Sequence, residues 1–185
     1  MITFPDRLDE LQGNLELVES MWGVWSELNA AACEAPKRAA LDGFGSFFLS
    51  TMEACLLATC VGLWRLYDKR PDVLAIPTLA GEALAEPLAA TSTPPDVSDL
   101  TGMAAPLVKK VKHLRHKLFA HRDRRLSSTQ VFIRAQLTPD DVCKLITLSR
   151  DILNAYSGWF RKQFDAASDH AATDTRRLVQ LLVDA

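Results

Sequence analysis

A basic segment that carries three histidines, residues 109–125 (KKVKHLRHKLFAHRDRR), contains the side chains of this sequence best suited to chemistry. It holds eight of the 21 Lys and Arg residues, three of the four His residues and a single acid, Asp123. The chain has a formal net charge of -2, but without this segment 13 basic residues face 22 acidic residues, which leaves -9. Such an uneven distribution predicts an anionic partner, and a polyanion is the natural candidate. The alternative is an ordinary solvated helix face.

Arg115 has the most unusual predicted environment in this segment. On a helical wheel it falls inside an apolar stripe of Leu and Val residues between positions 107 and 118. A guanidinium on the buried side of a helix is costly unless a negative charge neutralises it. The neutralising group could be an internal carboxylate, such as Glu53 or Asp68. It could also be a phosphate in a cleft, which the planar Arg fork binds through two oxygens.

The histidines define the possible reactions. Between Arg115 and His121 a helix rises about 9 Å and turns about 240°, so the two residues do not share a face. They could meet around one ligand if the Arg side chain reaches across, if the helix frays at His121, or if a second subunit supplies one of them.

His113 and His116 could share a metal ion, but no further ligand stands at a fixed spacing, so we predict no metal site. Without a Gly-rich phosphate loop, a GxSxG motif or an Asp-rich metal loop, we also predict no cofactor.

The elements that position these residues are all predicted to be helices. Hydrophobic periodicity, Pro and Gly breaks and the Thr138-Pro139 helix start indicate six segments. They are 5–32, about 36–69, 78–89, the basic helix 99–121, 138–164 and a short C-terminal helix 174–183. Residues 91–99 are predicted to be a loop, and 129–135 could be either strand or loop. The fold class is therefore all-α: a single-domain antiparallel helical bundle of about five to six helices over residues 1–185.

Composition sets the expected environment. Residues 43–64 are apolar on almost every face and are long enough to cross a membrane. Glu53 at their centre favours the central helix of a bundle instead, so we predict no membrane association. Four Cys residues without CxxC spacing, and a start without a secretory signal, predict a cytoplasmic protein with reduced thiols. The four Trp residues are expected in the core or at interfaces, with no stacking platform for bases.

Three motifs in this order resemble the HEPN superfamily, the higher eukaryotes and prokaryotes nucleotide-binding domain. RHKLFAH at 115–121 resembles its signature, an Arg followed by a polar residue and, after five intervening positions, a His. WRLYD at 64–68 precedes this motif, and LTPDD at 137–141 opens the helix that follows it. The pattern is similar to the abortive-infection branch of the superfamily and covers roughly residues 10–165.

This resemblance implies a homodimer with its signature helices facing across a twofold axis. It also implies a metal-independent endoribonuclease of a bacterial defence or toxin–antitoxin system. Arg115 would hold the scissile phosphate, His121 would act as general acid or base, and His116 is the polar residue after the Arg. The neighbouring cations would bind the RNA backbone: Lys109, Lys110, Lys112, Lys117, Arg122 and Arg124. Implied partners are RNA, a second copy of the chain and an antitoxin protein.

Some toxin members have a Tyr two residues after the His, where a partner enzyme modifies it, but this sequence has Asp123. Since the superfamily includes non-catalytic members, the alternative is a helical dimerisation or RNA- or protein-binding module.

Overall fold

The computed structural model describes residues 3–115, 135–160 and 169–184. Within these ranges the chain forms seven α-helices and one short 3-10 helix, and no strand. The helices are α1 (Phe4–Ala31), α2 (Ala35–Asp42), α3 (Gly45–Leu66), α4 (Ile76–Ala85), the 3-10 helix (Pro87–Ala90), α5 (Ser98–Leu114), α6 (Pro139–Trp159) and α7 (His170–Asp184). The predicted all-α fold class is confirmed. The choice between strand and loop at 129–135 concerns residues that, apart from Ala135, lie outside the described ranges.

The chain folds into two compact units. The first contains the described residues of 1–15 and 60–165, and the second those of 16–59 and 166–185. The prediction of one domain over residues 1–185 stays a prediction. The first unit contains the basic helix α5, so the functional residues discussed below belong to that unit.

Helices α5 and α6 pack together in the first unit. Leu107, Val111 and Leu114 of α5 are buried, which confirms the predicted apolar stripe up to its last described member. Helix α6 buries one face of apolar side chains, whereas Phe160, directly after the helix, is only half-buried. The buried residues of that face are Val142, Leu145, Ile146, Ile152 and Tyr156.

The start of α6 is fixed by a capping box, as the Thr138-Pro139 sequence predicts. The Thr138 hydroxyl accepts a hydrogen bond from the backbone N–H of Asp141 at 3.2 Å. In return, the Asp141 carboxylate accepts one from the backbone N–H of Thr138 at 2.9 Å. Two N–H groups that the helix itself leaves without acceptors are satisfied in this way.

The segment that follows α3 is held against α6 by a buried hydrogen bond. The hydroxyl groups of Tyr67 and Ser149 lie 3.0 Å apart. Burial raises the pKa of Tyr67 to about 12, although the bond to Ser149 opposes that shift. The phenol therefore stays neutral at physiological pH, and the WRLYD motif is anchored in the core of the first unit.

The second predicted helix is wrong in one respect, because the structure divides residues 36–69 into α2 and α3. Helix α2 ends at Asp42, where the backbone N–H of Gly43 donates to the carbonyl of Ala39 and that of Phe44 donates to the carbonyl of Leu41. Gly43 and Gly45 explain the break, since Gly loses more backbone entropy in a helix than any other residue. The continuous apolar composition of the sequence concealed it.

Helix α3 is the one helix of the described chain that is long and apolar enough to cross a membrane. That is weak evidence, because core helices pass the same test of length and composition. Glu53, which the sequence suggested as the mark of a bundle helix, is exposed, as are Phe47 and Leu49, whereas Phe48 and Leu63 are buried. The absence of membrane association stays a prediction.

The second unit has a small apolar core of its own. Its buried residues are Leu28, Ala31, Leu41, Phe48 and Val179. Helix α7 begins at His170, four residues before its predicted start. Of its apolar side chains, Val179 is buried, whereas Leu178 and Leu181 are 45% and 60% exposed.

We expect Thr138→Ala to lower the free energy of unfolding by about 1 kcal/mol, because the first turn of α6 loses its capping side chain. Urea denaturation followed by circular dichroism measures this change. Thr147→Ala is the matched control: Thr147 is exposed within α6 and bonds only to the carbonyl of Cys143 one turn earlier. Equal losses in the two variants would show that the cap does not stabilise α6.

Candidate functional site

Helix α5 forms one wall of a cleft in the first unit. The cleft has a volume of about 1300 Å³. Its other walls come from the end of α3 and the chain after it (64–71), the start of α4 (76–80), the segment before α5 (95–97) and Tyr156 of α6. Pockets for small-molecule ligands usually measure about 300–1,000 Å³, so this cleft has room for an extended ligand.

The wall that α5 contributes changes character along the helix. Its first half presents small or hydroxyl side chains, and its second half presents cations. The lining residues recur every three or four positions, as expected for one helix face. They are Ser98, Thr101, Gly102 and Ala105, then Val108, Lys109 and Lys112, with Arg115 directly after the helix.

Arg115 lies at the border between this cleft and the core. It is half-buried and follows the buried Leu114, yet it lines the cleft. The helical wheel predicted a position inside the apolar stripe, whereas the structure places Arg115 at the margin. Among the described residues, no carboxylate forms an ion pair with Arg115, and the suggested partner Glu53 is exposed.

The second suggested partner, Asp68, is mainly engaged by Arg70. Its carboxylate accepts hydrogen bonds of 3.1 Å from the backbone N–H and the Nε of Arg70, and a guanidinium nitrogen of Arg70 lies 3.1 Å away. Burial raises the pKa of Asp68, but the hydrogen bonds from Arg70 and the charges of Arg70 and Arg115 outweigh burial, so the pKa is lowered. Asp68 is therefore ionised. It attracts the charge of Arg115 electrostatically but forms its hydrogen bonds with Arg70.

The lining of the cleft is cationic overall. Five basic side chains line it: Lys69, Arg70, Lys109, Lys112 and Arg115. The acids are Asp68 and Asp96. Five positive charges against two negative charges leave an excess of three, so the cleft attracts anions.

An aromatic ring lies among these cations, and the absence of a stacking platform for bases stays a prediction. Trp64 lines the cleft and is half-buried, and the Lys112 Nζ lies 5.2 Å from its ring centroid. This cation–π contact holds the long Lys side chain against the cleft wall. No spacing pattern in the sequence indicates this pair, because its members lie on different helices and far apart along the chain.

Lys110 points elsewhere. Its Nζ donates a hydrogen bond of 2.7 Å to the Asp141 carboxylate, with side chains 31% and 19% exposed. It does not line the cleft, and it connects α5 to the first turn of α6. Its contact with RNA stays a prediction, and its observed contact joins two helices of the first unit.

The other predicted site residues fall largely outside the described ranges: His116, Lys117, His121, Arg122 and Arg124. His113 is described, and its buried Nε2 has no hydrogen-bond partner in the described part of the chain. Within the same ranges, no group of three or more His, Cys, Asp or Glu residues could hold a metal ion.

Two cations of the cleft were not predicted from the sequence. Lys69 and Arg70 directly follow the WRLYD motif and line the cleft with the residues of α5. A basic pair after a motif was the available signal, but its position depends on how the chain turns after α3.

Comparison with known proteins identifies the family. The sequence model of the HEPN family AbiU2 matches residues 6–178. The chain belongs to the AbiU2 family of HEPN domains. This match confirms the resemblance to the abortive-infection branch and extends it at both ends. No curated protein and no solved structure matches the chain significantly.

In this AbiU2-family chain, the Lys110–Asp141 pair makes stability depend on pH. The hydrogen bond from Lys110 lowers the pKa of Asp141, assisted by the backbone N–H of Thr138. A lowered pKa means that the ionised carboxylate contributes its full stability above the unfolded value of about 3.9. That contribution is lost as the pH falls through the lower pKa of the folded state.

We expect Asp141→Asn to lower the free energy of unfolding at pH 7 by about 1 kcal/mol. The difference from the unsubstituted protein should be complete above about pH 4 and should shrink progressively as the pH falls below that value, through the lower pKa of the folded state. Urea titrations at several pH values measure both effects. The control is Asp140→Asn, an exposed acid in the same turn that removes the same charge from the helix start. Identical pH profiles for the two variants would contradict a specific role for the pair.

Proposed function

We propose that this protein is a metal-independent endoribonuclease of bacterial abortive infection or a toxin–antitoxin system, with a composite active site in a homodimer. The observation that carries the proposal is the environment of Arg115. Arg115 is half-buried and has no ion-paired carboxylate in the described chain, and it lines a cleft with an excess of three positive charges. A phosphate group bound there would neutralise both.

The chemistry needs few protein groups. The 2′-hydroxyl oxygen of RNA attacks the adjacent phosphorus, and the bond to the 5′-oxygen of the next nucleotide breaks. One proton leaves the hydroxyl, and one reaches the departing oxygen. A His side chain suits such transfers because its pKa lies near neutrality. Arg115 would bind the phosphate and stabilise the charge that develops on its oxygens.

The assignments of His121 as general acid or base, and of His116 beside it, rest on the signature spacing in the sequence. Lys109 and Lys112 line the cleft with Arg115, which favours them as backbone contacts. Lys117, Arg122 and Arg124 remain proposed contacts from the sequence. The expected RNA and antitoxin partners and the homodimer are likewise part of the proposal.

A non-catalytic RNA-binding module is the second candidate, and Asp68 favours it. An ionised carboxylate that interacts electrostatically with Arg115 would weaken the grip of that guanidinium on a scissile phosphate. The cationic cleft would still bind an RNA backbone. The two candidates therefore differ in cleavage, and both predict binding.

We expect His121→Ala to reduce cleavage of single-stranded RNA by about 10²- to 10⁴-fold, because a positioned acid or base contributes that much. Arg115→Ala should reduce it by about 10²- to 10³-fold through lost charge stabilisation. Gel analysis of labelled RNA measures both, and a chelator should change neither rate. His170→Ala and Arg177→Ala, two exposed residues of α7, are the matched controls. RNA binding without cleavage by the unsubstituted protein would instead establish the module.

A mixing experiment tests the composite site. If Arg115 and His121 of one site come from different subunits, equal amounts of Arg115→Ala and His121→Ala should recover about a quarter of the original activity. Half of the dimers are then mixed, and each mixed dimer has one intact site. The subunits are exchanged in mild denaturant before the cleavage assay. If the mixture cleaves RNA no faster than the two single variants do, both residues of a site lie on one chain.

A further inference from the structure

One hydroxyl group in the wall of the cleft has no hydrogen-bond partner within the described residues. It belongs to Tyr156 of α6, which lines the cleft although its side chain is only 1% exposed. The unpaired side-chain atoms that the described chain seals from solvent are on other residues, so the Tyr156 oxygen is open to the cleft. Buried phenols normally have a hydrogen-bond partner, and an unpaired one that opens on a cleft therefore indicates a ligand.

A carboxylate belongs to the same part of the wall. Asp96 also lines the cleft. Burial, and to a lesser degree the negative charge of Asp96, raises the pKa of Tyr156, so the phenol is neutral and can donate a hydrogen bond. Hydrogen bonds from Ser98, whose backbone N–H lies 2.9 Å from one carboxylate oxygen, lower the pKa of Asp96. Asp96 is therefore ionised and can only accept. Within the described chain no hydrogen bond joins the phenol to the carboxylate, so both can bind a third group.

Packing within the first unit holds both groups in place. Phe4 of α1 contacts the Tyr156 ring edge-on, with ring centroids 6.2 Å apart and an interplanar angle of 73°. Trp159 packs against the same Phe4 ring, and its indole N–H donates a hydrogen bond of 3.1 Å to the carbonyl of Ser92. Ser92 lies four residues before Asp96, so this bond connects the end of α6 to the segment that carries the carboxylate. Groups that are fixed before a ligand arrives bind it at a lower entropic cost.

Together the phenol and the carboxylate select a ligand group that both donates and accepts. An ammonium or guanidinium group could satisfy the carboxylate, but the excess of three positive charges in the cleft repels a cation. A phosphate is repelled by Asp96 itself. A neutral hydroxyl fits, because it donates to the carboxylate and accepts from the phenol. In an RNA strand this group is the ribose 2′-hydroxyl, which DNA lacks.

The cleft is long enough to hold such a hydroxyl and the phosphates of the same strand. Its lining follows α5 from Ser98 to Lys112, and Arg115 continues it directly after the helix. Ser98 and Lys109 are eleven residues apart, which is about 16 Å along the helix. A strand that covers this distance does so with more than one nucleotide. The hydroxyl beside Asp96 therefore belongs to a different nucleotide from the one whose phosphate lies on Arg115.

We propose that Tyr156 and Asp96 bind a ribose 2′-hydroxyl of an RNA strand whose phosphates lie on Lys109, Lys112 and Arg115. The inference rests on the proposed function and names the feature by which the cleft binds RNA in preference to DNA. This hydroxyl is distinct from the one that attacks the phosphorus, so it governs the affinity for the strand and not the chemical step. Because every ribose carries the group, the subsite accepts any base sequence.

The test uses strands that cannot be cleaved and the full chain. Fluorescence anisotropy compares three decamers of one base sequence that carry an amino group, a fluorine or a hydrogen at every 2′ position. The amino group donates and accepts like a hydroxyl, does not attack the phosphate and is uncharged at mildly alkaline pH. The fluorine can only accept, and the hydrogen does neither. The unsubstituted protein should bind the amino strand about tenfold more tightly than the other two, as expected for one hydrogen bond to a charged group.

Two phenylalanine variants make the result specific to one phenol. Tyr156→Phe removes only the unpaired hydroxyl, so it should abolish the preference for the amino strand and leave the affinity for the 2′-hydrogen strand unchanged. Tyr67→Phe is the matched control, because the Tyr67 hydroxyl is already bonded to Ser149 although Tyr67 also lines the cleft. This control should keep the tenfold preference. Thermal melting confirms that each variant is folded.

Two asparagine variants test the carboxylate. Asp96→Asn retains an oxygen for the backbone N–H of Ser98 but loses the negative charge. It should lose the preference for the amino strand and bind all three strands more tightly, because one charge that repels phosphate is gone. Asp99→Asn is its control, since Asp99 is an exposed acid in the first turn of α5 that does not line the cleft. It should keep the preference.

The outcomes separate the two proposals. If the unsubstituted protein binds the three strands equally, or if Tyr156→Phe or Asp96→Asn keeps the tenfold preference, the subsite is overturned. Cleavage of RNA that depends on Arg115 would then still support the proposed ribonuclease. If no strand binds, the subsite is overturned as well, and a failure to cleave RNA would then overturn the proposed ribonuclease too.

Discussion

The position of Arg115, half-buried at the border between the core and the cleft, is the constraint on which the candidate site of the first unit depends. Removing such a charge from water is unfavourable unless a negative charge compensates it. Within the described chain, Asp68 attracts Arg115 electrostatically, but its carboxylate accepts its hydrogen bonds from Arg70. Lys109 and Lys112 add like charge on the same wall. The arrangement is therefore tolerable because the cleft is open, and an incoming anion would improve it.

Much of the fold could be predicted because its signals are local. The apolar spacing of α1, the capping box of α6 and the buried stripe of α5 follow from residues close together in the sequence. The break between α2 and α3 was missed because apolar composition continues through it, while two glycines shift the balance by about 1 kcal/mol each. Packing elsewhere in the fold easily outweighs a local free-energy difference of that size, so the sequence alone does not show whether the helix breaks there.

The candidate site was predictable only in part. Lys109, Lys112 and Arg115 share a face of one helix, and helical geometry alone brings them together. Lys110 is rotated by about 100° around the helix from Lys109, and it therefore contacts Asp141 instead of the cleft. Trp64 joins the site from the last turns of α3, and Lys69 and Arg70 join it from the chain that follows, which no local pattern specified.

Helix α5 separates its two tasks by face. Ala104, Leu107 and Val111 are buried and hold the helix in place, whereas Gly102, Ala105 and Val108 border the cleft. Substitutions on the second face leave the packing of the first almost untouched. A change of side chain at these three positions can therefore alter what the cleft accepts without a compensating change in the core.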